Sequence, residues 1–312
     1  MITVKRYTPE YKIVWDGFID TSKNGTFMLK RDYMDYHSDR FIDYSLMFYE
    51  DDRMIAVMPA SLHGNEVRSH GGLTYGGIIS DYKMTVQKML ELFECFKNFL
   101  KGNNIKRLVY KCVPVVYHLY PADEDLYALF RNGAQLFRRD ISTTIYLPEK
   151  IKFSELRRRG IKKAIKNNLS VRQTEDFEEY VSMLSAVLEE HHGVKPVHSA
   201  EELKLLASRF PDVIKLFGAY NNENQMMAGV VIFDTPQVVH AQYIANSDAG
   251  RNVGALDLVM DYLINQYSVG KKYFDFGIST ENNGSFLNTG LIAQKEGFGG
   301  RAVVYDFYEL DI

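Results

Sequence analysis

The sequence predicts an α/β protein built from two tandem units, each a mixed twisted sheet flanked by helices. Three observations support this prediction. The chain has 312 residues, which suits two domains of about 150 residues each. Hydrophobic residues make up 46% and charged residues 25% of it, ordinary values for a folded soluble protein. The same order of strands, turns and one helix also occurs twice along the chain.

The first copy of this order occupies residues 45–112. Apolar runs at 45–49 and 54–58 flank a polar turn and predict two antiparallel strands. A third extended segment passes from 67 to 79. Apolar residues at helical spacing then predict a helix over 85–101, and a buried strand follows at 106–110.

The second copy occupies residues 213–277 and repeats these elements in the same order. Its predicted strands are 213–220, 227–233 and 238–245, followed by a helix over 256–267 and a strand at 271–276. Ala56 then matches Ala228, and Gly102 matches Gly270, at nearly equal separations. The alternative is the chance similarity of any strand–helix–strand segments. Duplication explains five shared elements and two turns better, and it predicts units at 1–148 and 149–312.

Bulk properties narrow the classes of function. The net charge of −3 gives the whole chain no attraction to DNA or to anionic lipid. Cys95 and Cys112 lie in apolar surroundings without a CxxC spacing, so we expect free buried thiols rather than a disulfide or a metal site. No apolar run reaches the ~20 residues of a membrane span, and the N-terminus lacks a signal-peptide pattern. We therefore expect a cytoplasmic protein with no membrane span.

The most specific motif lies near the C-terminus. A strand-like Tyr-Phe-Asp-Phe-Gly at 273–277 precedes Gly290-Leu291, Lys295 and Phe298-Gly299. Together with the order helix, meander, helix, strand in two copies, this pattern resembles the Fem-type aminoacyltransferases and related tandem GNAT acetyltransferases. The stretch 24–28 with Tyr33 is similar to that family's opening, although His37 stands where the family has lysine.

The resemblance implies an N-acyltransferase whose donor is acyl-CoA, foremost acetyl-CoA, or aminoacyl-tRNA. The implied acceptor is the primary amine of a small molecule, such as a sugar nucleotide or an envelope precursor. No metal is implied. By the same resemblance, His37 becomes a candidate contact to the substrate. Tyr243, on the third strand of the second copy, is another, because a tyrosine packs its ring while its hydroxyl bonds a ligand.

A partial phosphate-binding pattern lies between the third strand and the helix of the second copy. It consists of Arg251, Asn252, Val253, Gly254 and Ala255, which match half of the GNAT phosphate loop. A glycine there lets backbone N–H groups approach a pyrophosphate at a helix N-terminus. The corresponding residues 80–83 of the first copy contain no glycine. We therefore expect the donor site in the second unit.

Two residues are candidate catalytic groups. Lys295 matches the lysine that the resemblance places near the donor ester, where a cation would stabilise negative charge on the carbonyl oxygen. Its alternative is a solvated lysine on a surface helix. Asp275 alternates with two phenylalanines on a strand and is a candidate to accept a proton from the attacking amine. Its alternative is to cap the backbone of the next segment.

A glycine-rich stretch at 69–77 is the most unusual local sequence. Its four glycines weaken any strand and often mark a close approach of ligand to backbone. His70, Thr74 and Tyr75 within it are candidate contacts to the acceptor. A structural bulge without a ligand remains an open alternative.

A basic run occupies residues 157–166, and its two isoleucines at 161 and 165 are expected to face inward on a helix. Arg159 within it is a candidate contact to phosphates of a sugar nucleotide or of tRNA. A solvated helix is the alternative. His191, His192 and His198 suit a pocket-lining loop better than a metal site, because no carboxylate pair accompanies them at coherent spacing.

Two other functions remain open on the sequence. The duplicated fold could serve as a non-catalytic binding module, which the incomplete phosphate loop would suit. The basic run could instead bind nucleic acid, with steep salt dependence.

Overall fold

The computed structural model describes residues 1–192 and 198–312, without the side chains at 37, 188 and 190–192. The chain forms two compact units. The first contains residues 1–140, 281–286 and 303–312, and the second contains 141–280 and 287–302. The expected division at 148/149 treats the units as consecutive, whereas the first unit also takes in the end of the chain. Two long strands, Gln135–Tyr146 and Arg301–Asp311, each contribute residues to both units.

The first unit begins with a helix and a meander of short strands. Its helices are α1 (Lys12–Thr21), α2 (Arg31–Met34), α3 (Val86–Gly102) and α4 (Glu124–Arg131). Its strands up to α4 are β1 (Ile2–Arg6), β2 (Ile42–Asp43), β3 (Leu46–Glu50), β4 (Arg53–Met58), β5 (Ser61–His63), β6 (Glu66–Arg68), β7 (Ile79–Ser80) and β8 (Arg107–Lys111). The long strand β9 (Gln135–Tyr146) follows.

The second unit repeats helices, meander, helix and strand. Its helices are α5 (Glu155–Lys166), α6 (Phe177–His192), α7 (Ala200–Arg209), α8 (Asp248–Val253), α9 (Ala255–Tyr262) and α10 (Thr289–Glu296). The remaining strands of the chain are β10 (Ser170–Thr174), β11 (Ile214–Tyr220), β12 (Met226–Asp234), β13 (Val238–Asn246), β14 (Tyr273–Ile278), β15 (Thr280–Glu281), β16 (Phe286–Leu287) and β17 (Arg301–Asp311).

The sheets of both units are mixed, as predicted. In the second unit the strand order is β10-β11-β12-β13-β14-β9, antiparallel except for the parallel pair β13 and β14. In the first unit β1-β3-β4-β7 form one sheet, and β9-β17-β8-β6-β5-β2 follow one another in a second, where β6 and β8 are parallel. Each unit therefore has one parallel pair joined through a helix.

The third extended segment of the first copy is the main departure from the expected repeat. The chain from 67 to 79 is not one strand: β6 pairs with β8, and β7 pairs with β4. The glycine-rich residues between them interrupt the ladder, because glycine weakens a strand interior. The first unit therefore has two sheets where the second has one.

Each unit has its own apolar core. In the first, α3 buries Met89, Phe93 and Phe96 together with residues of β3 and β4. In the second, α9 buries Leu256, Val259 and Met260 against β11–β14. Cys112 is buried and Cys95 half-buried, and both are free thiols. Within the described ranges, no helix combines the length and the apolar character that crossing a membrane requires.

Candidate active site

The two parallel strands of the second unit separate at their carboxyl ends. β13 and β14 are in register only from Val238–Tyr273 to His240–Asp275, yet β13 continues to Asn246. A bulge at Gln242, where the register with β12 shifts, bends the strand beyond this point. Ligands of α/β sheets bind in such openings beyond the carboxyl ends of strands.

A cavity of about 900 Å³ lies at this opening. Its lining residues come from α5, α6, β13, the α8–α9 junction, β14 and α10, with Phe298 just beyond α10. All of them belong to the second unit. The apolar lining residues are Leu156, Leu184, Val187, Ile244, Leu256, Met260, Phe276, Leu291 and Phe298. The volume is at the upper end of small-molecule sites.

Lys295 lies in the cavity wall at the end of α10. Its side chain is 4% exposed, so the surface-lysine alternative is wrong. Its Nζ donates hydrogen bonds to the backbone carbonyl oxygens of Gly277, at 2.9 Å, and Ile278, at 2.7 Å. Burial lowers the pKa of Lys295 to about 8, against the opposing field of Asp275. The amine is therefore largely charged at neutral pH but loses its proton in mild base.

Lys111 in the first unit offers an internal comparison. Its Nζ donates to the carbonyl oxygens of His70, Gly71 and Leu73, at 3.1, 3.2 and 2.6 Å. An ammonium group has three N–H donors, so all of those of Lys111 are used inside the protein. Lys295 has two acceptors, and no other described residue accepts its third N–H. That third donor remains available to a ligand in the cavity.

Asp275 is enclosed rather than exposed to the cavity. Its carboxylate accepts hydrogen bonds from the hydroxyls of Ser142, at 2.5 Å, and Thr144, at 2.8 Å. His240 Nδ1 lies 2.8 Å from its second oxygen. The carboxylate is fully buried, because the strand turns Asp275 toward the sheet face opposite Phe274 and Phe276. These hydrogen bonds join β9, β13 and β14 just before the point at which β13 and β14 diverge.

The predicted phosphate loop is covered by α5. Gly254, with φ +77°, ends α8 and starts α9. A side chain at Gly254 would overlap the carbonyl oxygen of Gly160, and one at Gly160 would overlap the carboxylate of Asp257. Arg157 donates to Asp257 at 2.6 Å. The first turn of α9 is therefore packed against a helix, and this glycine serves close helix contact instead of an open backbone cradle.

Charged side chains nevertheless surround the cavity. Arg251 and Gly254 of the predicted loop line it, together with Arg159 and Lys163 of α5. Of the other loop residues, Asn252 is exposed, Val253 is half-buried and Ala255 is buried in the core. Arg159 is exposed and lies 3.7 Å from Glu155. In α5 the inward position belongs to Ala164, whereas Ile165 is exposed, contrary to expectation.

Sequence reasoning missed Asn246. It lines the cavity at the end of β13, and its Oδ1 is buried without a hydrogen-bond donor among the described residues. This oxygen faces Gly250, where an added Cβ would lie 2.6 Å from it. Asn246 directly precedes Ser247, the N-cap of α8, and a polar residue before a cap carries no signal that would set it apart in the sequence.

The remaining candidates have other surroundings. His70, Thr74 and Tyr75 belong to the first unit: His70 and Tyr75 are buried, Thr74 is exposed, and the Tyr75 hydroxyl donates to Thr26 at 3.0 Å. Gly76 and Gly77 are needed for close approach to Ser69 and Tyr110, which accounts for part of the glycine-rich stretch by packing.

The last predicted site residues are Tyr243, His37 and the other histidines. The Tyr243 hydroxyl is hydrogen-bonded to His198 Nδ1, and burial raises the pKa of Tyr243 to about 12. His37 ends a short helical turn, Asp35–His37, and its side chain lies outside the described part, as do those of His191 and His192. Among the described side chains, no group of three or more His, Cys, Asp or Glu could hold a metal ion.

Comparison with known proteins identifies the fold. No family model and no curated protein sequence matches the chain. The structure of FemX matches with a TM-score of 0.70 and 11% identity, over 99% of this chain and 97% of FemX. L-PGS from Bacillus licheniformis matches with a TM-score of 0.62 and 14% identity, over 97% and 92% of the two chains.

A third match is a tandem GNAT protein from the clavulanic acid biosynthesis pathway, with a TM-score of 0.52 and 11% identity. The match covers 100% of this chain and 98% of that protein. The chain has the tandem GNAT fold. At these identities the likeness establishes the fold alone, which the sequence predicted correctly.

Within the tandem GNAT fold, the cavity brings together only part of the predicted set. Lys295, Arg251, Gly254 and Arg159 line it. Asp275 is enclosed behind the strands, and Tyr243 is not among the lining residues. The first-unit candidates have contacts of their own, described above. Asn246 and Lys163 are additions that only the structure supplies.

Proposed function

We propose that the chain is an N-acyltransferase that moves an acyl group from an activated ester or thioester to a primary amine. The donor would occupy the cavity of the second unit. In such a transfer the amine nitrogen attacks the carbonyl carbon, negative charge develops on the carbonyl oxygen, and the carrier leaves as a thiol or an alcohol. No covalent intermediate with the protein is required.

The observation that carries this proposal is the third N–H of Lys295. A buried ammonium, fixed by two carbonyl oxygens, presents its remaining donor without having to reorganise. Because Lys295 itself is buried, such a donor stabilises an oxyanion more strongly than a solvated lysine would.

The donor's anionic part would be held by side chains. The start of α9 is covered by α5, whereas Arg159, Lys163 and Arg251 line the cavity. These cations suit the phosphate of acyl-CoA and equally the acceptor end of aminoacyl-tRNA. The acceptor would be a small-molecule primary amine, for which an amino-sugar nucleotide is our first choice.

A transfer assay with Lys295→Met tests the proposal. Acyl-CoA donors and aminoacyl-tRNA would be offered with a panel of primary amines that includes amino-sugar nucleotides, and product would be followed by mass spectrometry. We expect a loss of about 10²–10³-fold in kcat, as for the removal of one oxyanion donor. Lys272→Met, at an exposed lysine of the same unit, serves as the control. Full activity in Lys295→Met would exclude the role proposed for it.

A non-catalytic binding module is the second candidate, and the covered start of α9 is the observation that favours it. This candidate predicts ligand binding in the cavity without transfer. Binding of acyl-CoA or aminoacyl-tRNA with no product from any acceptor would favour the module over the enzyme.

A further inference from the structure

The cavity wall of the second unit is largely apolar. Leu184 and Val187 reach it from α6, Leu256 and Met260 from α9, and Leu291 and Phe298 from α10 and the turn beyond it. An acetyl group would cover little of a surface contributed by three separate helices. Apolar surface left in contact with water gives no stabilisation, whereas each methylene buried against it does.

The charges around the cavity are unbalanced. Its described lining includes five basic residues and one acid, namely Arg157, Arg159, Lys163, Arg251, Lys295 and Asp257. Asp257 is already bonded to Arg157, at 2.6 Å. An α-ammonium group, which every aminoacyl donor carries, would therefore meet cations and find no unpaired carboxylate among the described lining residues. An uncharged acyl group suits the apolar lining residues, and an anionic carrier suits the basic ones.

We propose that the acyl group taken by this cavity is an uncharged, apolar chain longer than acetyl, carried on a phosphate-bearing thiol. This inference rests on the proposed function and narrows its donor. The chain lies against α6, α9 and α10, the carbonyl oxygen accepts the third N–H of Lys295, and the carrier's phosphate contacts Arg159, Lys163 and Arg251. The amine nitrogen bonds to the carbonyl carbon, the C–S bond breaks, and the thiol leaves with the amine's proton.

A chain-length series tests the inference without any acceptor. The affinities of CoA and of acetyl-, butyryl-, hexanoyl- and octanoyl-CoA would be measured by calorimetry. We expect Kd to fall about fourfold for each added methylene until the cavity is filled. Equal affinity for acetyl- and octanoyl-CoA, or no binding of any member, would overturn the inference.

An isosteric pair tests the charge argument. Propionyl-CoA and glycyl-CoA have acyl groups of nearly equal size, but the glycyl group carries an ammonium where propionyl has a methyl. We expect propionyl-CoA to bind at least about tenfold more tightly below pH 7, since like charges and a desolvated ammonium both oppose the glycyl group. Tighter binding of glycyl-CoA would overturn the inference in favour of an aminoacyl donor.

A matched pair of substitutions locates the chain. Leu291 is 36% exposed and lines the cavity. The larger side chain of Leu291→Trp can therefore occupy part of the cavity without having to be completely buried. We expect it to abolish the tighter binding of octanoyl- over butyryl-CoA. Leu205→Trp, on the exposed side of α7, should leave that preference intact. An unchanged preference in Leu291→Trp would overturn the placement.

The proposed function can fail separately. If the chain-length dependence holds but no acceptor yields product, the acyltransferase proposal fails and the chain-binding cavity stands. If acetyl and octanoyl groups bind and transfer alike, the enzyme stands and the chain-length inference fails.

Discussion

Lys111 and Lys295 differ in how many of their three N–H donors the protein satisfies. Lys111 donates all three N–H groups to carbonyl oxygens of the glycine-rich stretch. Lys295 donates two N–H groups to carbonyl oxygens and lines the cavity. Burial lowers the pKa of each to about 8. The lowered pKa therefore does not distinguish the two lysines, whereas the number of satisfied donors does.

The first prediction concerns the pH dependence of transfer. Because the pKa of Lys295 is lowered to about 8, its charged fraction falls above pH 8. We expect kcat/KM to decline above this pH when the acceptor amine is already deprotonated. Lys295→Arg should remove the decline even if it lowers the rate, since a guanidinium stays charged. A pH–rate profile that keeps the same limb in Lys295→Arg would assign the titration to another group.

The second prediction concerns a buried carboxyl group of the first unit. Asp125 accepts a hydrogen bond from the Tyr110 hydroxyl at 2.5 Å, and burial raises the pKa of Asp125 from 3.8 to about 7. Between these values the unfolded chain has released a proton that the folded chain retains. The free energy of unfolding therefore falls as pH rises from about 4 to about 7.

Asp125→Asn should flatten this fall, because the amide does not titrate. Urea unfolding at pH 5 and pH 8 measures the difference between the two proteins. Asp52→Asn, at an exposed carboxylate of the same unit, is the matched control and should keep the wild-type slope. An unchanged slope in Asp125→Asn would show that other groups cause the dependence.

At the scale of elements, the contact of α5 with the start of α9 depends on two glycines. Gly254 has φ +77° and its missing Cβ leaves room for the backbone of Gly160. Gly270 has a similar φ, +86°, but nothing lies within 4 Å of its absent Cβ. The two positions therefore share a left-handed backbone, which would strain any residue with a side chain, and they differ in packing.

The third prediction uses this pair. Gly270→Ala should lose about 1 kcal/mol of stability through the left-handed backbone alone. Gly254→Ala should lose about 1–3 kcal/mol more, because α5 must shift to accept the methyl group. Urea unfolding measures both losses. Equal losses would mean that α5 accommodates the methyl group without cost, and the close-contact role of Gly254 would then be wrong.

Sequence periodicity predicted most elements of the two meanders, with their helices and parallel strands, because these elements are long and locally patterned. It missed α4, β9 and β17: the last two are long strands whose partners lie far along the chain. It predicted the basic helix, which the structure has as α5, from a charge run. It also singled out Lys295 from a motif, and the role of Lys295 stays a prediction. It placed a phosphate cradle at Gly254, since a glycine needed for helix packing and one needed for phosphate look alike in sequence. It could not find Asn246, whose significance is an unsatisfied oxygen.

At the scale of the whole molecule, the last strand completes the first unit. β17 pairs with β8 from Phe307–Lys111 to Asp311–Arg107, and Leu310 is buried in the core formed with α3. Two segments from the end of the chain, 281–286 and 303–312, belong to this unit. Its stability therefore depends on residues about 200 positions from its other strands, a separation that slows folding by its loop-closure entropy.

The fourth prediction follows from this arrangement. Leu310→Ala should lower the free energy of unfolding by about 2–5 kcal/mol, as for other buried leucines. Hydrogen exchange should speed up in β8 and α3. Val304→Ala, on the same strand but 40% exposed, should change stability by no more than about 0.5 kcal/mol. Equal effects of the two changes would mean that Leu310 adds nothing to the first core.

The placement of β17 also bears on how the protein is made. Residues 1–140 are synthesised long before residues 303–312. Until β17 emerges, the β8 edge of the nascent first unit is therefore unpaired and part of its core is open. The second unit can meanwhile assemble most of its own sheet as it emerges. Although the N-terminal unit is synthesised first, it is the last to complete its sheet. A chaperone that acts on the nascent chain would therefore bind the first half of the chain.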